Sequence, residues 1–424
     1  MAGIARLAQQ LGHHVSGSDK RAIYPPMNLQ IEQLNIPINF GYYRDSIPDN
    51  TDLVIVGNSL SRGVPVIEKL LEENLDFTSG PAWLGKEVLK DRKKIIVSGT
   101  HGKTTVSSLI TWILEKSGAQ PGFLIGGIPG NYQHSAELGK GKFFVVEGDE
   151  YDSAFFDKRS KFIHYRPDIL VINNLEFDHA DIFKNLAEIT TQFHNMIRTM
   201  PRSAQIIRPQ TSQSIDKLLE KGLWCSVKNF GRGPTSELRY SYNISNSPPI
   251  SITKGDKAYK SIGIGIGGHN ADNLAAAILA TESAGIPTEQ AVDAAKTFRN
   301  PKRRMELKGK IAGISVYDDF AHHPTAIRAS VSALKKTLGK GRKLIAILEP
   351  RSNSMRMGLH KEKLNSALRM ADFIGIYTEN ELQWDVNQRF KSEKFIGTWN
   401  NADALAKIVA ERSDDGDSVL IMSN

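Results

Sequence analysis

The stretch that most restricts the fold is residues 94–116, "KIIVSGTHGKTTVSSLITWILEK". A β-branched apolar run leads into glycines and then into Val106, Leu109, Ile110, Ile113 and Leu114 at helical spacing, with a stop at Gly118. Strand, glycine loop and helix in that order aim backbone N–H groups and a helix N-terminus at an anion. The loop is shorter than the common phosphate-binding pattern, which keeps four residues between its glycines. Here only Thr100 and His101 separate Gly99 from Gly102. The expected phosphate cradle is Gly99, Thr100, His101, Gly102, Lys103, Thr104 and Thr105. Lys103 is placed to reach the β- and γ-phosphates of ATP, and Thr104 to ligate Mg²⁺.

The same alternation runs through the chain. "LVIVG" (53–57), "FFVVE" (143–147), "ILVIN" (169–173), "LIAILE" (344–349) and "SVLIM" (418–422) are nearly continuous apolar runs separated by helical stretches. Such runs indicate parallel strands covered on both faces, so the fold class is α/β. At 424 residues the chain is too long for one core. Charged stretches place boundaries near residues 88 and 300, giving three units. Residues 1–88 read as Rossmann-like, 89–300 as a P-loop ATPase unit with a mostly parallel sheet, and 301–424 as a second Rossmann-like unit. Residues 229–262 are polar, alternating and punctuated by Pro and Gly, and read as antiparallel strands at a sheet rim. At the start, "GIARLAQQLGHH" reads as a helix and "HVSGSD" as a strand ending in Asp19, placed to meet a ribose hydroxyl. The opening strand and glycine turn of such a unit would come before this helix. The N-terminal unit is therefore expected to be truncated, and a capping segment after Asn424 to be missing.

Composition removes several classes. The longest apolar runs are strand-sized, far short of the roughly 20 residues that cross a bilayer, and no export signal is evident. The single cysteine, Cys225, cannot form an internal disulfide and fits a buried thiol in a reducing cytoplasm. The net charge of +8 raises nucleic acid as a partner, but basic residues are interleaved with acidic ones, as in "KEVLKDRKK". A small polyanionic substrate accounts for the excess equally well. No nucleic-acid or membrane partner is expected, and a monomer or weak dimer is.

Carboxylates and a histidine follow the loop. "FFVVE" ends at Glu147, where open α/β sheets put metal ligands. Asp149, Glu150 and Asp152 beyond it read as a solvated acidic turn. The strand "ILVIN" opens into "NNLEFDHADIF", which puts Asp178 and His179 on a loop facing the same crevice. Thr104 with Glu147 would hold one Mg²⁺ and His179 a second, neutralising a transferring phosphoryl group.

Taken together, "GTHGKTT", the strand-end glutamate, "NNLEFDHADIF", "GGHNADN" (267–273), "KRRMEL" (302–307) and "VYDDFAHHPTAI" (316–327) resemble the Mur ligases of peptidoglycan synthesis over essentially the whole chain. The short loop is characteristic of that family. The resemblance implies an ATP- and Mg²⁺-dependent amide ligase that works through an acyl phosphate. Its catalytic group would be Lys103, Glu147, His179, Arg304 and His322. Asn270 and Asn273 would hold adenine, Arg304 the γ-phosphate and Asp319 the ribose, while His322 would orient the nucleotide or the amine. Within the family the motifs look like the branch that uses UDP-N-acetylmuramate. "YPPM" (24–27), "GGIPGN" (126–131), "EYDSAFFDKRSKFIHYRP" (150–167) and "EPRSNSMRMG" (349–358) look like members that attach the recycled murein tripeptide L-Ala-γ-D-Glu-meso-diaminopimelate. A ligase for free L-alanine, a nucleotide-binding remnant without turnover and a generic kinase are the alternatives. Arg351 and Arg356 are candidates for the peptide carboxylates, and Asn58 and Arg62 for the UDP portion.

Overall fold

A computed structural model describes residues 1–424 except 24–26, 180–181, 244–249, 263, 266 and 380. Tyr24–Pro26 of the "YPPM" motif and residues 180–181 of "NNLEFDHADIF" therefore lie outside the described residues. The structure is mixed α/β, dominated by a ten-stranded central sheet.

The strand Lys93–Ser98 sits inside this sheet, parallel to Phe143–Glu147 on one side and Ile169–Ile172 on the other. Its side chains alternate between two covers, as the period of a strand requires. Ile95 and Val97 join the core formed with helices Lys103–Lys116 and His269–Ser283. Ile96 faces the opposite core, with Phe144, Leu170, Phe193 and Met196. This double burial explains why the run carries no polar alternation. Helix His269–Ser283 is itself buried nearly all round, and its alanines 271 and 275–277 are fully covered.

The polar stretch is only partly as expected. Ser226–Gly231 pairs parallel to Gln205–Pro209, and Leu238–Tyr242 adds to it in parallel. Only Ile250–Lys254 and Lys257–Ile262 run antiparallel at the rim. The amphipathic helix Gln213–Glu220 makes the crossover that returns the chain in the parallel sense. Polar alternation correctly marks the exposed rim, but pairing direction is set by the connections, the crossover helix before 226–231 and the segment 232–237 before 238–242.

The C-terminal sheet has six strands, ordered 306–311, 314–319, 418–422, 344–348, 373–377 and 395–399. All neighbours are parallel except the first pair, a hairpin. Near the N-terminus two separate parallel pairs form, 17–19 with 38–40 and 54–56 with 77–79. Helix Ala2–Gln10 packs Ile4, Leu7 and Ala8 into a core of the central sheet. No helix among the described residues is long and apolar enough to cross a membrane. Cys225 is half-buried, and burial pushes its thiol up.

Candidate active site

The glycines of the loop are required by geometry. Gly99 has φ of +132° and Gly102 of +81°. A Cβ on Gly99 would lie 2.8 Å from the Asn174 carbonyl oxygen, and one on Gly102 would lie 2.5 Å from both Asn173 Nδ2 and Asn273 Oδ1. Carboxamides thus wrap the loop. Asn174 accepts the His101 N–H at 2.7 Å and returns a bond to its carbonyl at 3.0 Å. Asn173 donates to the same carbonyl and to Asn273 Oδ1, at 3.1 and 3.0 Å, and Asn273 donates to Asn270. Asn273 therefore reaches the loop from helix His269–Ser283, with Asn270 behind it. Thr100 accepts the N–H of Glu176.

Gly102 is the N-cap of helix Lys103–Lys116 and offers no side-chain cap. The first-turn N–H groups thus point into the crevice without a side-chain acceptor from the cap position, as an anion site needs. Thr104 donates to Glu147 Oε1 at 2.9 Å and accepts from Arg304 Nη2 at 3.2 Å. Gly126 N donates to the other Glu147 oxygen at 2.8 Å. The hydroxyl and carboxylate are hard oxygen donors on one side of the helix N-terminus, a set that fits Mg²⁺. A Cβ at Gly126 would come within 3.1 Å of Glu147 Oε2, so the glycine keeps that space clear.

Lys103 makes a second, deeper arrangement. Its ammonium donates to both oxygens of Glu150, at 3.0 and 2.9 Å, and His179 Nε2 stands 2.9 Å from Glu150 Oε1. The reading of Glu150 as part of a solvated turn is corrected: it is 3% exposed. The turn folds inward because Lys103 and His179 supply the charge that makes burying a carboxylate tolerable. Burial opposes the charge on Lys103, but Glu150 and Asp149 outweigh it and hold the ammonium above its usual range. Burial likewise opposes ionisation of Glu150, and Lys103 with His179 keeps it low. The two outer acids have local partners, Asp149 with Lys161 at 2.8 Å and Asp152 with Lys158 at 2.7 Å.

The third unit closes over these groups. Arg304 is half-buried, sits 4.9 Å over the Phe320 ring, and has its guanidinium pKa lowered by loss of solvent around it. Asp319 accepts the N–H of Met305 and of Ala321, each at 2.8 Å, and so holds the hinge that presents Arg304. Asp178 lies between His322 and His360, at 3.8 and 4.0 Å. Its carboxyl is held far down against burial, by His360 and then His179. Burial pushes the His322 imidazole down to about 4. Thr325 donates to Glu176 at 2.7 Å, a second hydrogen bond between the units.

The remaining expected residues lie apart from this cluster. Asp19 ends its strand, and its carboxylate adds to burial in raising the Tyr42 phenol above its usual range. Arg62 is exposed and forks onto Glu68 through two 3.0 Å bonds, and Asn58 is exposed nearby in the chain. Arg351 and Arg356 are exposed around the short helix Asn353–Arg356. Sequence reasoning missed Asn173, Asn174, Glu176, His323 and His360. The carboxamides and Glu176 stand inside the quoted "NNLE", directly after an apolar strand, which is a usable signal. His360 has no local signal.

Three family models cover the chain: "Mur ligase family, catalytic domain" over residues 1–92, "Mur ligase middle domain" over 97–281 and "Mur ligase, glutamate ligase domain" over 303–424. The chain is 43% identical over 427 residues to the UDP-N-acetylmuramate–L-alanyl-gamma-D-glutamyl-meso-2,6-diaminoheptandioate ligase of Haemophilus influenzae, covering all of this chain and 93% of that protein. It is 43% identical over 425 residues to the same-named ligase of Escherichia coli, with the same coverage. A crystal structure of a murein peptide ligase from Psychrobacter arcticus superposes with a TM-score of 0.76 at 38% identity, over all of this chain and 93% of that one.

Proposed function

The chain belongs to the Mur ligase family, and on that premise we propose that it joins UDP-N-acetylmuramate to the tripeptide L-Ala-γ-D-Glu-meso-diaminopimelate, driven by ATP, in murein recycling. The reaction forms one carbon–nitrogen bond. A carboxylate is a poor acylating group, so it must first be activated. The lactyl carboxylate oxygen attacks the γ-phosphorus and ADP leaves. The α-amine of the peptide then attacks the acyl carbon of the mixed anhydride, and inorganic phosphate leaves.

Each residue has a task in this scheme. Gly99–Thr105 present backbone N–H groups to the β- and γ-phosphates. Lys103 exchanges part of its bond to Glu150 for phosphate oxygens and stabilises the charge they gain. Thr104 and Glu147 would hold a Mg²⁺ ion, and His179 would serve a second one. Bound magnesium neutralises charge on the transferring phosphoryl group. Asn270 and Asn273 hold the adenine, as the resemblance implies. Asp319 positions Arg304, which meets the γ-phosphate, and His322 orients the amine. Asp19, Asn58 and Arg62 serve the UDP-sugar in residues 1–88. Arg351 and Arg356 serve the peptide carboxylates in 301–424. Residues 89–300 carry the nucleotide. We take the protein to be a cytoplasmic monomer or weak dimer.

The observation that carries this reading is the 3.2 Å bond from Arg304 of the third unit to Thr104 at the helix N-terminus. It supports a site assembled by closure, which excludes the water that would hydrolyse an acyl phosphate. The test is phosphate release from ATP with each acceptor alone and with both. Release that needs both UDP-N-acetylmuramate and tripeptide, and is lost in Lys103→Ala, is the expected result. Faster turnover with free L-alanine would move the assignment to the alanine-adding reaction.

A further inference from the structure

We propose that His101, Glu176 and His323 form a binding site for a transition-metal ion of the Zn²⁺ class, which fastens the C-terminal unit onto the phosphate loop. The three residues are distinct from Thr104, Glu147 and His179. One ligand atom from each lies within 4.8 Å of the other two. His101 Nε2 is 3.8 Å from Glu176 Oε1, and His323 Nδ1 is 3.8 Å from Glu176 Oε2. The two imidazole rings stand 4.6 Å apart. A tetrahedral site with bonds of roughly 2.1 Å has edges of about 3.4 Å, so the two 3.8 Å contacts are a few tenths of an ångström long, and filling the site draws the three side chains inward from separations of up to 4.8 Å.

The donor set is the second argument. Two imidazoles and one carboxylate with a fourth position left to water are a zinc-type complement, unlike the all-oxygen pair at Thr104. His101 Nε2 is buried and makes no hydrogen bond among the described residues, an uncommon and costly state for a ring nitrogen. An ion there would give that nitrogen its partner. His323 is 4% exposed, and its Nδ1 accepts only a long 3.3 Å bond from Thr325 N. Glu176 is already oriented by the Thr325 hydroxyl, the kind of outer support that fixes metal ligands. His360, whose ring is 4.6 Å from His323, closes the outer side.

The fold explains why such a site can exist only with the units together. His101 lies in the nucleotide loop and Glu176 on the next strand's loop, both in the central unit. His323 is the N-cap of helix Pro324–Thr337 in the C-terminal unit. A filled site therefore adds a coordinate link to the Arg304–Thr104 and Thr325–Glu176 hydrogen bonds.

Cobalt(II) is the probe, added to the full chain with excess Mg²⁺ so that oxygen sites are occupied. We expect one tightly held equivalent with the intense visible bands of a four-coordinate ion. These bands should survive in Glu147→Gln and weaken at least tenfold in apparent affinity in His323→Gln and Glu176→Gln. Absence of the bands in the native chain, or their persistence in both ligand variants, would overturn the site. Should those variants misfold, X-ray absorption on the zinc-loaded native chain decides: two imidazoles per zinc uphold the site, and one or none sinks it.

Discussion

At the scale of single residues, Glu150 is the most consequential side chain at the site. It ties the loop lysine to His179, through contacts of 2.9–3.0 Å at 3% exposure. Removing it leaves the Lys103 ammonium buried without its nearest countercharge. Breaking a buried pair from one side costs about 3–5 kcal/mol. Glu150→Ala should therefore lower the unfolding free energy obtained from urea denaturation by an amount of that order, while Glu150→Gln, which keeps a hydrogen-bond acceptor, should lose less. Equal stability for all three chains would mean that the ammonium finds another acceptor. Glu150 was legible only as an acid in a turn, because nothing in its neighbours says which way the turn folds.

Among elements, two are informative. The loop-to-helix joint depends on the left-handed Gly102, where an alanine would bring both conformational strain of roughly 1–2 kcal/mol and the 2.5 Å contacts with Asn173 and Asn273. Gly102→Ala should abolish nucleotide binding, seen as loss of calorimetric heat with ATP, in a chain that is still folded by circular dichroism. The hairpin 152–154/157–160 carries a separate, pH-dependent element. Arg159 holds the Asp157 carboxyl down to about 2 through paired bonds of 2.8 and 2.7 Å, against an ordinary value of 3.8. The ionised form is the one favoured by folding, so its contribution is full above about pH 4 and disappears as the pH falls toward 2. Asp157→Asn should make the melting temperature fall less steeply across that acid range. An unchanged slope would place the acid sensitivity elsewhere.

For the whole molecule, function depends on bringing Arg304 to Thr104. Arg304→Ala should reduce kcat by about 10²–10³-fold, in the range of a lost charge-stabilising donor, with a smaller change in the KM for ATP. Small-angle scattering should show less compaction on nucleotide binding than in the native chain, and full compaction with full activity would contradict the closure scheme. Much of this architecture was readable in the sequence. Continuous apolar runs such as "KIIV" and "ILVI" report burial on both faces, which only a covered parallel sheet provides, and the Gly-x-x-Gly-Lys-Thr loop reports an anion site because its chemistry is local to seven residues. Pairing direction in 226–242 was not readable, since it depends on where the crossover helix 213–220 and the segment 232–237 return the chain. Nor were the partners of Glu150 and Asp178, nor the meeting of His101, Glu176 and His323. Those depend on contacts between residues 29 to more than 200 positions apart, and local residue patterns carry no information about distances that only packing between units creates. What the sequence determined by itself was the local chemistry of each strand end and loop; which of those loops face one another was decided by the packing of the three units.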